Sequence, residues 1–332
     1  MTETAAAFLP WSGEETRAYH DAEMIAAAWY EARDELARYP GWLTWKKNGA
    51  GTEYLFQGSD RAGNGKSLGL RSPETEQRFE AFREAKQAAR QRESALRDQV
   101  ATQARFVRAA RVNRMPRDAA KLLRTFERTP FREALMVVGT HALYAYEAAA
   151  GVRFIPGLTA TRDVDLLRDS KRELEVSVGL ADDQRPGFLE ILHQLDATFT
   201  VGAEHSFRVT SAQGLTVDFL MAEPDDGRKP KSGDKVRPIG LVGQAWLLGI
   251  APMRQIAFSD DGYPIRLRVP QPTIFAAHKS WLAHQRSRAA TKRERDGAQA
   301  LAVFDLLRTR LADQVSVKRG MPAELKKYLP VK

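Results

Sequence analysis

The chain has 332 residues, 43% of them hydrophobic, which is ample material for a packed core and excludes a wholly disordered chain. Lys and Arg number 51 against 42 Asp and Glu, a formal net charge of +9 that favours polyanionic partners such as nucleic acid or nucleotide phosphates. The chain contains no cysteine, which excludes disulfides, thiolate metal sites and thiol catalysis.

In chain order, the start MTETAAAFLPWSGEE is acidic and lacks a long apolar stretch, so no signal peptide is expected. No run of about eighteen apolar residues follows, so no membrane partner is expected and the expected location is cytoplasmic. Residues 14–39 read as an amphipathic helix with Met24, Ala28 and Tyr30 among its buried candidates. Residues 41–70 alternate apolar positions around Gly-rich turns, a small β-ribbon carrying Trp42, Trp45, Tyr54 and Phe56. Those aromatics are expected to pack a small sheet rather than to stack on bases. Ser72, Pro73 and Glu74 then open a helix over about 73–112, uninterrupted by Gly or Pro until Pro116. Its apolar stripe of Phe79, Phe82, Leu96, Val100 and Val107 is sparse, and Arg105, Arg108, Arg111 and Arg114 crowd its second half. A solvated packing helix is the expectation there.

From about residue 131 the pattern changes to short apolar strands: ALMVVG (134–139), DVDLL (163–167), HSFRVTS (205–211), TVDFLMA (216–222) and IRLRVP (265–270). Helical stretches THALYAYEAAAG and GFLEILHQLD lie between them. The fold class expected is α+β, a mixed sheet with helices over 131–270, flanked by a mostly helical region 1–130 and a C-terminal helical region 271–332. EPDDGRKPKSGDK (223–235) reads as a surface loop. The last region holds two helices, TIFAAHKSWLAHQRS and KRERDGAQALAVFDLLRTRLAD, the second with Ala298, Leu301, Ala302, Phe304 and Leu307 as apolar positions.

The chemistry concentrates in the strands. Side chains at i and i+2 of a strand share a face, so Asp163 and Asp165 aim their carboxylates the same way. Two like charges so close resist ionising together, a conflict that a divalent cation with hard oxygen ligands, Mg²⁺ above all, removes. Asp218 lies in a second apolar strand; were that strand adjacent, three carboxylates would converge in a two-metal arrangement for in-line phosphoryl transfer. In VVGTHAL an apolar strand ends at Gly139 and a helix is expected to begin at Thr140. A glycine lets backbone approach phosphate closely, and a helix start with a hydroxyl donates to it. His141 at that turn is expected to be partly exposed. His205, His278 and His284 have no metal-ligand spacing.

Gly139-Thr140, then Asp163-x-Asp165, then Asp218 resembles the nucleotidyltransferase superfamily of DNA polymerase β, the CCA-adding enzymes and kanamycin nucleotidyltransferase. More narrowly, VVGTHALYAYE and TRDVDLL are similar to bacterial nucleotidyltransferase-fold proteins akin to the toxin nucleotidyltransferases of abortive-infection type IV systems. The stretches KSLGLRSPETE and HKSWLAHQRS…KRERDGAQA extend that likeness. The resemblance implies a polymerase β-like mixed sheet that transfers NMP from an NTP to an acceptor hydroxyl with two Mg²⁺ or Mn²⁺ ions. It implies that Asp163 and Asp165 bind both metals and that Asp218 binds the catalytic one. Gly139 and Thr140 would hold the triphosphate, with Lys279, Lys292 and Arg295 as further phosphate contacts and Asp296 orienting a lysine or a base. The basic charge and the Arg-rich helix tilt the acceptor towards RNA, the tRNA 3′ end included, and the family likeness implies a toxin or phage-defence role with an antitoxin as partner. A protein side chain or small molecule as acceptor, and an idle binding module on the same fold, stay open. The gap between Gly139 and Asp163 is longer than in minimal members, so the segment around GVRFIPGLTA is expected to shape a pocket.

Overall fold

The computed structural model describes residues 6–59, 63–170, 172, 187–203, 206–223, 235–312 and 321–329. They divide into two compact units, Arg17–Ala109 on one hand and Met1–Thr16 with Ala110–Lys332 on the other. Residues 110–130, grouped by their sequence pattern with the N-terminal region, therefore belong to the sheet unit, as do the C-terminal helices. Strand β1 (Phe8–Pro10) precedes helix α1 (Gly13–Leu36), which opens on a reciprocal cap. There the Ser12 amide donates to Glu15 at 2.7 Å and the Glu15 amide to the Ser12 hydroxyl at 3.2 Å.

In the smaller unit, α1 buries Tyr19, Ala22, Ala26 and Tyr30, one stripe at three- and four-residue spacing. Met24 falls between those positions and is 66% exposed, which corrects its expected burial. Strands β2 (Trp42–Lys47), β3 (Glu53–Gly58) and β4 (Gly65–Leu70) form an antiparallel sheet. Helix α2 (Pro73–Ala109) runs 37 residues, and Trp45 packs on its Phe79 with ring centroids 5.8 Å apart. Trp45 thus packs against α2, whereas Trp42 is 40% exposed. Arg105 and Arg108 are exposed.

The larger unit starts with α3 (Arg117–Glu127), then β5 (Leu135–Val138), a 3₁₀ turn over Gly139–Ala142, and α4 (Leu143–Ala150). Strand β6 (Val152–Phe154) pairs antiparallel with β1 and leads into the short α5 (Pro156–Thr159). The GVRFIPGLTA segment is therefore a sheet partner of the chain's start. Next come β7 (Asp163–Arg168), α6 (Phe188–Leu195), β8 (Thr200–Val201), β9 (Arg208–Thr210), β10 (Thr216–Ala222) and β11 (Ile239–Leu241). Most of the 223–235 segment, and His205, lie outside the described residues. Helix α7 (Gln244–Leu248), the hairpin β12 (Met253–Phe258) and β13 (Pro264–Val269), α8 (Pro272–Ala283), α9 (Ala290–Thr309) and α10 (Ala323–Lys326) complete the unit.

The central sheet is six-stranded and mixed, in the order β5-β7-β10-β9-β8, with β11 paired to the last residues of β10. Together with the helices it makes an α+β fold. Strand alternation gives the sheet two buried faces. Val164, Leu166, Val217 and Phe219 pack with Phe126 and Phe188 of α3 and α6 on one side. Met136, Val138, Leu167 and Leu220 pack with Leu247, Ile274 and Ala277 of α7 and α8 on the other. Asp163, Asp165 and Asp218 share the period of this second set, so they stand on the α7–α8 face. Among the described residues no helix is long and apolar enough to cross a membrane.

Candidate active site

Strands β7 and β10 are parallel, in a register that sets Asp218 directly opposite Asp165. On the other flank of β10, antiparallel β9 sets Arg208 opposite Asp218. Three charged residues thus line up across three strands. The Arg208 guanidinium grips Asp218 as a fork, Nε donating to Oδ1 at 2.7 Å and Nη2 to Oδ2 at 2.6 Å. That bond holds the Arg208 pKa above its ordinary value. Asp163, at the mouth of β7, is exposed, and Asp165 is half-buried.

Gly139 closes on Asp165 from the end of β5, where Val138 pairs with Asp165. Its φ of +63° is left-handed, and a Cβ built there would overlap the Asp165 carboxylate. The approach is backbone against carboxylate, with no room for a side chain. Burial raises the Asp165 pKa from 3.8 to about 7, against the pull of Lys279, while Asp218 and Asp163 push it further up. Asp165 is a carboxyl short of positive charge.

Beside it opens a cavity of about 680 Å³. Its charged lining residues are Asp165, Arg208, Asp218, Glu223, Lys279, Arg288 and Lys292. Lys279 is buried and donates to Asp296 Oδ1 at 2.7 Å, and Arg288 donates to Asp296 Oδ2 at 2.5 Å. Asp296, itself 2% exposed, therefore fixes two cavity cations from behind without lining the cavity. Lys292 is exposed at the rim.

The remaining sequence candidates are placed differently. The Thr140 side chain is buried, and its hydroxyl accepts from Gln299 Nε2 at 3.1 Å; the same amide donates to the Leu158 carbonyl at 2.8 Å. Thr140 lies in a 3₁₀ turn, and the α-helix begins only at Leu143. Arg295 bonds the Ala160 carbonyl, and neither it nor Thr140 lines the cavity. No residue of 151–160 lines this cavity either. His141 is 1% exposed, not partly exposed as its place at the turn suggested. Its Nδ1 lies 3.1 Å from the Asp163 carbonyl, and burial lowers its pKa to about 4, so the ring stays neutral and acts as a strut.

Arg208, Arg288 and Gln299 were not among the sequence candidates. Arg208 had a signal, a cation at the centre of the apolar strand HSFRVTS, but its partner follows only from strand order. Arg288 and Gln299 carry none that a single sequence displays.

Among the described residues no three His, Cys, Asp or Glu stand together as a ready metal nest. Mg²⁺ does not need one, since it takes one or two carboxylates and fills its shell with water and substrate phosphates. Asp165, undercompensated and adjacent to Asp163 and Asp218, fits that requirement by donor chemistry. Asp218 fits it once the Arg208 fork opens.

The mixed sheet thus presents i, i+2 carboxylates and a third on the parallel neighbour, with a glycine turn pressed against Asp165. Residues 117–319, more than half of the chain, match the family model described as nucleotidyltransferase, and the chain belongs to that family. No match is found among curated proteins or among solved structures.

Proposed function

We propose that the protein transfers a nucleoside monophosphate from an NTP to an acceptor hydroxyl in a divalent-cation-dependent reaction. The observation that carries this is the Asp165–Asp218 pair, in register on parallel strands and lining a cavity that Lys279, Arg288 and Lys292 also line. In the step, the acceptor oxygen bonds to the α-phosphorus and the bond from that phosphorus to the bridging oxygen breaks. Pyrophosphate leaves with the electron pair, and the hydroxyl proton passes to a carboxylate or to solvent. Asp165 with Asp163, and Asp218 once the Arg208 fork opens, would hold a divalent cation, which would supply charge neutralisation and a more acidic acceptor hydroxyl. Lys279 and Arg288, clamped by Asp296, hold phosphate oxygens and favour the charge that builds on the leaving group. Gly139 keeps the Asp165 carboxylate turned to the cavity.

RNA, the tRNA 3′ end included, is the acceptor we favour, on the strength of the net charge of +9. Growth arrest on expression, relieved by a neutralising partner, is the cellular role that the likeness to abortive-infection toxins supports.

The test is transfer from each α-labelled NTP, with Mg²⁺ or Mn²⁺, to total RNA and to lysate protein. Label in RNA is expected, and Asp218→Asn should lower it by about 100-fold or more. Label in protein alone would replace the acceptor but keep the chemistry. No label in any acceptor, with wild type and Asp218→Asn indistinguishable, sinks the reading.

A further inference from the structure

The cavity also has lining residues that the transfer chemistry does not use. β11, α7 and α8 contribute a largely apolar set of lining residues, Ile239, Leu241, Val242, Leu247, Trp281 and Leu282, and Glu223, whose side chain lies against Gly240 of β11, lines the cavity as well. Val242 is 60% and Leu241 37% exposed, aliphatic surface turned to solvent at a cavity rim rather than packed in the core. Two polar side chains interrupt that wall, Gln244 and His278, 7% and 4% exposed. Gln244 Oε1 and His278 Nε2 are both buried without a hydrogen-bond partner. Buried polar atoms are nearly always satisfied, so an unsatisfied pair on one cavity wall points to a ligand that satisfies it.

The same wall holds an aromatic surface in place. Trp281 is half-buried and packs edge-on against Trp246, ring centroids 5.0 Å apart. Gly243, just before α7, has a left-handed φ of +86°, and a Cβ built on it would meet the Trp281 ring at 2.9 Å. Backbone therefore lies against the indole, where a side chain would displace it. His278 sits beside Trp281 at 5.5 Å between centroids, and burial lowers its pKa to about 3, so it offers a neutral ring.

Resting on the nucleotide-transfer reading, we propose that this wall recognises the nucleobase of the donor nucleotide, with Trp281 as stacking surface and Gln244 and His278 as the groups that meet the base edge. Anionic phosphates suit Lys279, Arg288 and Lys292, and a flat, neutral, donor-bearing base suits the apolar lining with its two open polar atoms. The atom left open on Gln244 is an acceptor, so the missing partner is an N–H, which the base edges supply in different positions.

The test is binding of the four NTPs and of inorganic tripolyphosphate to the full-length protein with Mg²⁺, monitored by tryptophan fluorescence and by thermal shift. The four NTPs should differ, and the preferred one should bind about tenfold or more tighter than tripolyphosphate. Gln244→Met and His278→Leu should bring that NTP close to tripolyphosphate while leaving tripolyphosphate binding and the ligand-free melting temperature nearly unchanged. Trp281→Phe should weaken all NTPs together and spare tripolyphosphate. The proposal is overturned if the NTPs and tripolyphosphate bind alike, or if the variants weaken tripolyphosphate equally. Absence of binding by NTPs and tripolyphosphate alike would instead remove the nucleotide reading beneath it.

Discussion

At Gly139 it is the backbone that determines what can stand beside Asp165. A left-handed φ and the absence of space for a Cβ act together there, so Gly139→Ala should cost about 1–3 kcal/mol of stability and push the carboxylate aside. Transfer activity should fall by about 100-fold while the protein still folds, which a melting curve and a transfer assay read side by side. A second residue, Glu147, is a buried carboxyl away from the cavity. Its Oε1 accepts from the Phe154 amide at 2.6 Å, its Oε2 has no partner, and burial raises its pKa from 4.5 to about 7. The native state therefore holds a proton over that window which the unfolded chain has lost. Its contribution is full below about pH 4.5 and shrinks as pH rises to about 7, by at most about 1.4 kcal/mol per pH unit. Glu147→Gln should remove this slope, so the variant gains on wild type between about pH 5 and about pH 8 in urea unfolding. Parallel curves for the two proteins would refute it.

Among elements, the pairing of α8 with α9 rests on a buried ionic knot. Asp296 serves Lys279 and Arg288 at once, and Asp296→Asn leaves the Lys279 ammonium buried without its counter-charge. The expected loss is about 3–5 kcal/mol in denaturant unfolding, and Lys279→Met with Asp296→Leu should recover most of it. The same knot explains what the sequence concealed. On α9 the apolar pattern suggested Ala298, Leu301, Ala302, Phe304 and Leu307, yet Leu301 is 72% exposed while Asp296, Gln299, Val303 and Leu306 are buried. A helix that buries polar residues for their partners hides its inner face from a hydrophobicity count. Strands β7 and β10 were legible because an aspartate inside an apolar run is costly without a purpose. Their adjacency, and the Arg208 fork, were not, since strand order is a property of the whole sheet.

For the molecule as a whole, composition gave a fair account of class and a poor one of borders. The contact boundary at Ala110 falls at the end of α2, where no Gly or Pro marks it. The cavity, by contrast, draws on β5, β7, β9, β10, β11, α7, α8 and α9. The Gln299–Thr140 bond joins residues 159 apart in the chain. During synthesis, which runs from the N-terminus at about 5–20 residues per second, the carboxylate strands emerge well before the helix that braces the turn and the lysine. A ribosome-bound chain thus passes through a period of several seconds with its acidic strands made and its clamp still unbuilt. The order of synthesis itself withholds a finished site until α9 has been made.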